Sequence, residues 1–420
     1  MATSSGSAQP RRAAILGGNR IPFARSNGPY SDASNQDMLT AALDGLIARF
    51  SLQGERLGEV AAGAVLKHSR DFNLTRECVL GSALDHSTPA YDVQQACDTS
   101  LEAAVLVANK IALGQIESGV AGGVDTTSDA PVELNDDLRR VLMDLNAERS
   151  TAGRLKLLGR LRPGQIVPSI PRNQEPRTGL SMGEHAAITA REWHVSRIGQ
   201  DELAAASHRN LAAAYDRGFF SDLVTPYLGL ERDQNLRPDS SPEKLAKLAP
   251  VFGVDAGEAT MTAGNSTPLS DGAATVLLAS DEWAAEHRLP VLAHLVDAET
   301  AAVDYVHGND GLLMAPVYAV PRLLERNGLT LQDFDLYEIH EAFASQVLAT
   351  LAAWEEPLGT IDRAKLNVTG SSLAAGHPFA ATGARIVATL AKLLAERGSG
   401  RGLISVCAAG GQGVVAILER

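Results

Sequence analysis

The sequence predicts an α/β protein: two α/β halves around one irregular insertion, with a largely parallel sheet. Two patterns point there. Short apolar runs of strand type alternate with longer runs of helical spacing, first over residues 13–124 and again from about 255 to the end. Between about 125 and 250 the chain turns polar and Arg-rich, with Pro163, Pro168, Pro171 and Pro176 close together.

The elements follow in order. Residues 13–18 are apolar and end in Gly17-Gly18, a strand. Residues 37–50 set Leu39, Ala42, Leu43, Leu46 and Ile47 at helical spacing. Residues 60–65 read as a strand, 101–113 as a buried helix, and 118–124 as a strand ending near Gly122-Gly123. After the insertion, 275–279 and 291–296 are strand-like, and 314–328 is an amphipathic helix stopped by Asn327-Gly328. A strand at 336–339 precedes a helix at 343–351; a helix at 384–394 is closed by Gly398. Strands at 402–406 and 414–418 flank a Gly-rich turn. No clean identity repeat relates the two halves.

At 420 residues the chain is long enough for two or three domains with sizeable cores. Its 45% hydrophobic content against 21% charged excludes a disordered chain. A net charge of −13 excludes a general nucleic-acid binder, because a polyanion would be repelled. Three Cys do not make a disulfide scaffold, and free thiols suit a reducing cytoplasm. No apolar run reaches the ~18 residues of a membrane span. The first ten residues lack the apolar stretch of a secretory signal and read as a frayed tail. From Arg139 to Arg177, nine basic residues face three acidic ones, a local charge of +6. A solvated face is the ordinary reading of such an island; an anion site, for phosphates, is the functional one.

Four residues are candidates for chemistry. Cys97, in Gln95-Ala-Cys-Asp-Thr-Ser, sits at a strand-to-helix elbow, where the positive helix end favours thiolate and lowers the pKa. The alternative for a free Cys is a small buried hydrophobe, the only reading for Cys78. Cys407 ends a strand before Gly410-Gly-Gln-Gly, a turn that is neither a P-loop nor a dinucleotide fingerprint. His377, in Gly376-His-Pro-Phe, lies among small residues that leave room for a ligand, and an imidazole can deprotonate a Cys. His340-Glu341 starts like a zinc-protease motif, but Ala344 stands where the second His belongs, and no Cys/His cluster has metal spacing. No metal is expected.

Together these landmarks resemble the thiolases, the acyl-CoA:acetyl-CoA acyltransferases, over essentially the whole chain. The resemblance rests on Arg20-Ile-Pro-Phe, the Cys97 elbow, Ala121-Gly-Gly-Val-Asp, Met182-Gly, Asn265-Ser-Thr-Pro, His340-Glu-Ala-Phe, Gly376-His-Pro and Cys407-Ala-Ala-Gly-Gly, in that order. His340, where many thiolases have Asn, looks like the β-oxidation trifunctional-complex type. The resemblance implies a five-layered αβαβα fold: an N-terminal core from 1–124 plus 250–282, an inserted CoA-binding loop domain at 125–249, and a C-terminal core at 283–420. It implies a 3-ketoacyl-CoA thiolase of fatty-acid β-oxidation with ping-pong kinetics. Cys97 is then the nucleophile, His377 its base and Cys407 the second acid/base. One oxyanion hole uses the N–H groups of Cys97 and Ala409, where the family usually has Gly; the other uses His377 and a water or direct donor held by His340. Ala263, Thr267, Met182 and Phe343 fall at positions the family uses around CoA, and the Arg-rich stretch is the candidate for its adenosine phosphates. CoA is a substrate, and no cofactor is permanently bound. A homodimer or homotetramer is implied, with a hydratase–dehydrogenase subunit as a further partner. The alternatives are an acetoacetyl-CoA thiolase running the condensation, a related ketosynthase, which typically lacks a second Cys like Cys407, and a non-catalytic thiolase-like subunit.

Overall fold

Residues 11–420 are described by the structure, a computed structural model; the N-terminal tail read above lies outside the described residues. The first half runs β1 (Ala13–Arg20), α1 (Asn35–Phe50), β2 (Glu59–Ala62), α2 (Leu74–Gly81), β3 (Ala90–Asp92), α3 (Thr99–Ala112) and β4 (Ser118–Asp125). The helix α1 starts where Ser34 and Asp37 form a reciprocal capping box and stops at Ser51 in the left-handed conformation. The insertion carries α4 (Asp136–Ala147), α5 (Thr151–Leu158), α6 (Met182–Glu192) and α7 (Arg197–Asp216). The strand β5 (Ser270–Ala279) then returns to the sheet. The second half runs β6 (Ala293–Ala302), α8 (Pro316–Asn327), β7 (Leu336–Ile339), α9 (Ala344–Leu358), α10 (Ser372–Ala375), α11 (Thr382–Arg397), β8 (Arg401–Ala408) and β9 (Gln412–Glu419).

These strands form one sheet in the order β7-β8-β9-β6-β1-β5-β4-β2-β3. It is mixed, which corrects the largely parallel expectation. Among the named strands, β2–β3, β2–β4 and β7–β8 pair parallel, while β1–β5, β4–β5, β1–β6, β6–β9 and β8–β9 pair antiparallel. Strand–helix alternation predicts crossovers, but β5 folds back after the insertion and β9 after a tight turn, so each enters antiparallel.

The halves repeat in topology though not in residues. From outer edge inward the first half reads β3-β2-β4-β5-β1. The second reads a bridge at Leu366, then β7-β8-β9-β6, with the same directions throughout. The two inner strands pair antiparallel at Ala13–Leu295, Ala14–His294 and Ile15–Ala293. Five layers follow. The central helices α3 and α11 pack together between the half-sheets; α1 covers the outer face of β1 and β5, and α8 that of β6 and β9. Strand side chains alternate between layers: Ile15 faces the central helices while Ala14 and Leu16 face α1, and Val414 and Ala416 face inward while Val415 and Ile417 face α8. Burial on both faces is why these strands read as continuous apolar runs.

The insertion is more helical than its sequence suggests. In α7 the buried face is Ala204, Ala205, Leu211 and Ala214 with Gln200, Asp201, Ser207 and His208. Small and polar residues mask its period, yet it packs on α9 and α10. A buried bidentate pair, Arg20–Asp233 at 2.6 and 2.7 Å, ties the insertion to β1. In contrast α4 and α5 bury no residue, and all nine basic side chains of the positive island are exposed. No described helix is long and apolar enough to cross a membrane.

Candidate active site

Two elbows, one in each half, aim their side chains at a common point. Ala96 takes a left-handed φ of 46°, rare for a residue with a Cβ, and thereby turns Cys97 toward the start of α3. Thr99 clamps this turn: its hydroxyl donates to Ala96 O at 2.7 Å and accepts from Gln95 N–H at 2.9 Å. In the second half Gly376 has φ of +102°, and a Cβ there would meet Asn235 and Ser270 at 2.6 Å, so glycine is required. The next residue, His377, places Nε2 3.1 Å from Cys97 Sγ and Nδ1 2.6 Å from Thr382 Oγ1. With Nδ1–H donating to Thr382, the Nε2 lone pair is free for the thiol proton. The central helices interlock here, since Ser100 Oγ accepts from Ala384 N–H at 2.8 Å.

Cys407 is buried at the end of β8, and Cys97 is the second cause, after burial, that raises its thiol. The turn after it presents the Ala409 N–H to the Cys97 sulfur, beside Cys97's own N–H. Ala409 is not among the residues with positive φ, so Ala fits where the family usually has Gly. Beyond it Gly410 and Gly411 have φ of 80° and 70°. Gly410 N–H donates to Glu175 Oε1 at 2.7 Å, and Tyr305 donates to Glu175 Oε2 at 2.8 Å. A buried insertion carboxylate therefore braces the Cys407 turn.

The His340 ring stacks obliquely on His377, centroids 4.2 Å apart. Its Nδ1 lies 2.9 Å from Ser372 Oγ, while Nε2 is buried with no partner among the described residues. Glu341 ties the end of β7 to α7 and α10, accepting from Ser207 at 2.7 Å, Asn367 at 2.8 Å and Leu373 N–H at 3.2 Å. Asp125, ending Ala121-Gly-Gly-Val-Asp, accepts from Val65, Leu66 and Ala380 N–H groups and so docks the His377 loop on the first half.

The electrostatics correct one expectation. Burial, then the Asp98 carboxyl, push the Cys97 thiol up to about 12, against the N–H groups that would lower it. The helix end loses to desolvation. Burial raises Cys407 well above the usual thiol range. Burial and then Arg385 press His377 down to about 3, and burial, His377 and Arg385 hold His340 well below its ordinary value. At neutral pH all four groups are uncharged.

Of the residues expected around CoA, Phe343 and partly buried Met182 share an apolar cluster with Cys407. Thr267 hydroxyl donates to Ala342 O at 3.0 Å, which fixes the 263–268 loop beside Phe343, and Ala263 is exposed on that loop. Sequence reasoning missed Thr382, Ser372, Arg385 and Glu175. The first and third lie five and eight residues after His377, a spacing that returns them to its side of the chain once the helix starts at 382. Glu175 gave no local signal. Among the described residues no group of three or more His, Cys, Asp or Glu is placed to hold a metal.

A thiol bonded to a neutral imidazole, with backbone N–H donors on the same sulfur and a second thiol nearby, is the equipment of covalent acyl transfer. Comparison with known proteins names the family. Residues 13–282 match the thiolase N-terminal domain and residues 289–420 the thiolase C-terminal domain; the chain belongs to the thiolase family. It is 38% identical to a 3-ketoacyl-CoA thiolase of Yersinia pestis (strain Pestoides F), covering 98% of this chain and 97% of that one. Among solved structures, the Bacillus anthracis acetyl-CoA acetyltransferase superposes with a TM-score of 0.83 at 30% identity, covering 98% of this chain and all of that one. The human mitochondrial 3-ketoacyl-CoA thiolase does so with a TM-score of 0.83 at 28% identity and the same coverage.

Proposed function

We propose that the chain is a 3-ketoacyl-CoA thiolase, cleaving a 3-ketoacyl-CoA with CoA into an acyl-CoA shortened by two carbons and acetyl-CoA. The Cys97 Sγ–His377 Nε2 contact of 3.1 Å carries the assignment. Cys97 sulfur attacks the 3-keto carbon as its proton passes to His377 Nε2. Burial holds the resting pair neutral, so this transfer runs as the carbonyl oxygen takes negative charge against preorganised donors. Collapse breaks the C2–C3 bond, leaves the acyl group on Cys97 and puts the electron pair on C2. Cys407 protonates that carbon and acetyl-CoA departs. The Cys407 thiolate next takes the proton of incoming CoA, whose sulfur attacks the thioester; Cys97 leaves and recovers its proton from His377. Atoms and protons balance over the cycle, and the two substrates follow in ping-pong order.

Ala409 and Cys97 N–H groups suit the oxyanion on C3, the keto oxygen that becomes the acyl-Cys97 carbonyl, and the His340–His377 pair suits the enolate oxygen of the departing acetyl-CoA. We propose CoA as substrate against the 125–249 domain, with Ala263, Thr267, Met182 and Phe343 along its pantetheine arm. The edge strand β3 pairs with β2 and leaves its outer edge unpaired among the described residues, and a second copy is the proposed cover for that edge. Thiolysis rates against 3-ketoacyl-CoA of graded chain length test the assignment, alongside condensation of acetyl-CoA. Activity that extends to medium and long chains is expected. Turnover confined to the four-carbon substrate would make this an acetoacetyl-CoA thiolase instead.

A further inference from the structure

Behind His340 lies a buried polar chain that the thiolase chemistry does not itself require. Arg385, fully enclosed on α11, donates from Nη2 to Ser372 Oγ at 3.0 Å and to Ser371 Oγ at 3.1 Å. Ser372 Oγ in turn lies 2.9 Å from His340 Nδ1. A guanidinium only donates, and a hydroxyl has one proton to give. With one Ser372 lone pair taken by Arg385, the Ser372 proton has a single acceptor among the described residues, His340 Nδ1. The ring is neutral, so its one proton sits on Nε2.

That Nε2–H is itself a buried donor without a partner among the described residues. A buried unpartnered donor costs roughly 1–3 kcal/mol, a cost expected at sites where a ligand supplies the missing acceptor. The ring that carries it packs on His377, which holds the nucleophile. Arg385 faces Glu338, whose carboxyl is also fully buried, has no hydrogen-bond partner among the described residues and is pushed up to about 8 by burial, with Arg385 drawing it back down.

We infer that Ser372, with its lone pair engaged by Arg385, is a positioning residue that locks His340 in the Nε2–H tautomer, so that His340 meets the enolate oxygen of the acetyl-CoA half of the substrate as a neutral donor. The lock rests on the thiolase reading for its purpose but not for its existence. Without it, His340 can carry its proton on Nδ1 and turn a bare lone pair toward the developing oxyanion, which repels it.

The test joins a spectroscopic and a kinetic measurement. Nitrogen-15 NMR of histidine-labelled protein, with His340 assigned by its loss in His340→Asn, should show Nε2 protonated and Nδ1 bare. In Ser372→Ala the His340 signals should move toward a mixture of tautomers. Thiolysis kcat should fall roughly ten- to a hundredfold in Ser372→Ala, as when an oxyanion donor is lost, with KM little changed. Ser372→Thr, which keeps the hydroxyl, should restore it. In a His340→Asn background, where an amide N–H replaces the imidazole, Ser372→Ala should cost nothing further. A wild-type His340 protonated on Nδ1 overturns the inference, as does an equal kcat loss from Ser372→Ala in both backgrounds. Failure of the thiolase reading looks different: no thiolysis by the wild type, with the NMR tautomer still readable.

Discussion

Cys97 and His377 form a neutral pair, and in the proposed mechanism its proton moves only during catalysis. A helix N-terminus lowers a thiol pKa, but enclosure raises it, and here enclosure wins, with Cys97 at about 12 and His377 at about 3. An observable follows. Below its pKa the thiolate fraction rises about tenfold per pH unit. Alkylation of Cys97 by iodoacetamide should therefore climb steadily from pH 6 to 9. A plateau starting near neutrality would signal a resting thiolate–imidazolium pair and contradict the neutral one. The residues in direct contact with the reacting sulfur were legible in the sequence because each sits in a short motif of distinctive chemistry. Their supports were not. Thr382, Ser372 and Arg385 become partners of His377 and His340 only when α10 and α11 turn back on the strand ends, and Glu175 reaches Gly410 across 235 residues of chain.

At the scale of elements, the site exists because α3 and α11 meet backbone to backbone. Gly383, at the second position of α11, would bring a Cβ within 2.3 Å of Leu101 N, and main chain cannot yield as a side-chain tip can. Gly383→Ala is expected to pry the helices apart, to cost about 1–3 kcal/mol of stability as an overpacked core does, and to lower kcat far more than a surface change, because Cys97 and His377 move apart together. Wild-type kcat with an unchanged melting temperature would show that the two helices do not set the Cys97–His377 distance. Strands and amphipathic helices were readable from period and capping signals: α1, α8 and β7 fall within two residues of their expected bounds. The sheet's direction was not, because nothing local to β5 or β9 records which neighbour it will pair with. The helix α7 was hidden for another reason, since alanine and buried polar residues carry its packing face.

At the scale of the molecule, a doubled topology brings two unlike elbows, one bearing a thiol and one an imidazole, into contact across the central helix layer. The halves share strand order and direction but no clean identity repeat, so the doubling is visible in the structure and not in the sequence. The β1–β6 pairing and shared central layer make the halves one cooperative unit. Trp283 follows β5 in the first half, and Trp354 lies in α9 of the second. Variants keeping only one of these tryptophans should unfold in urea at coincident midpoints; separated transitions would mean that the halves melt independently. The most direct measurement is to map the acyl-enzyme. The protein is mixed with a 3-ketoacyl-CoA in the absence of free CoA, quenched in acid, digested and read by mass spectrometry. One acyl group per chain on Cys97, lost in Cys97→Ser, is the expected result. An acyl group on Cys407, or full turnover with Cys97 unmodified and replaceable, would contradict it.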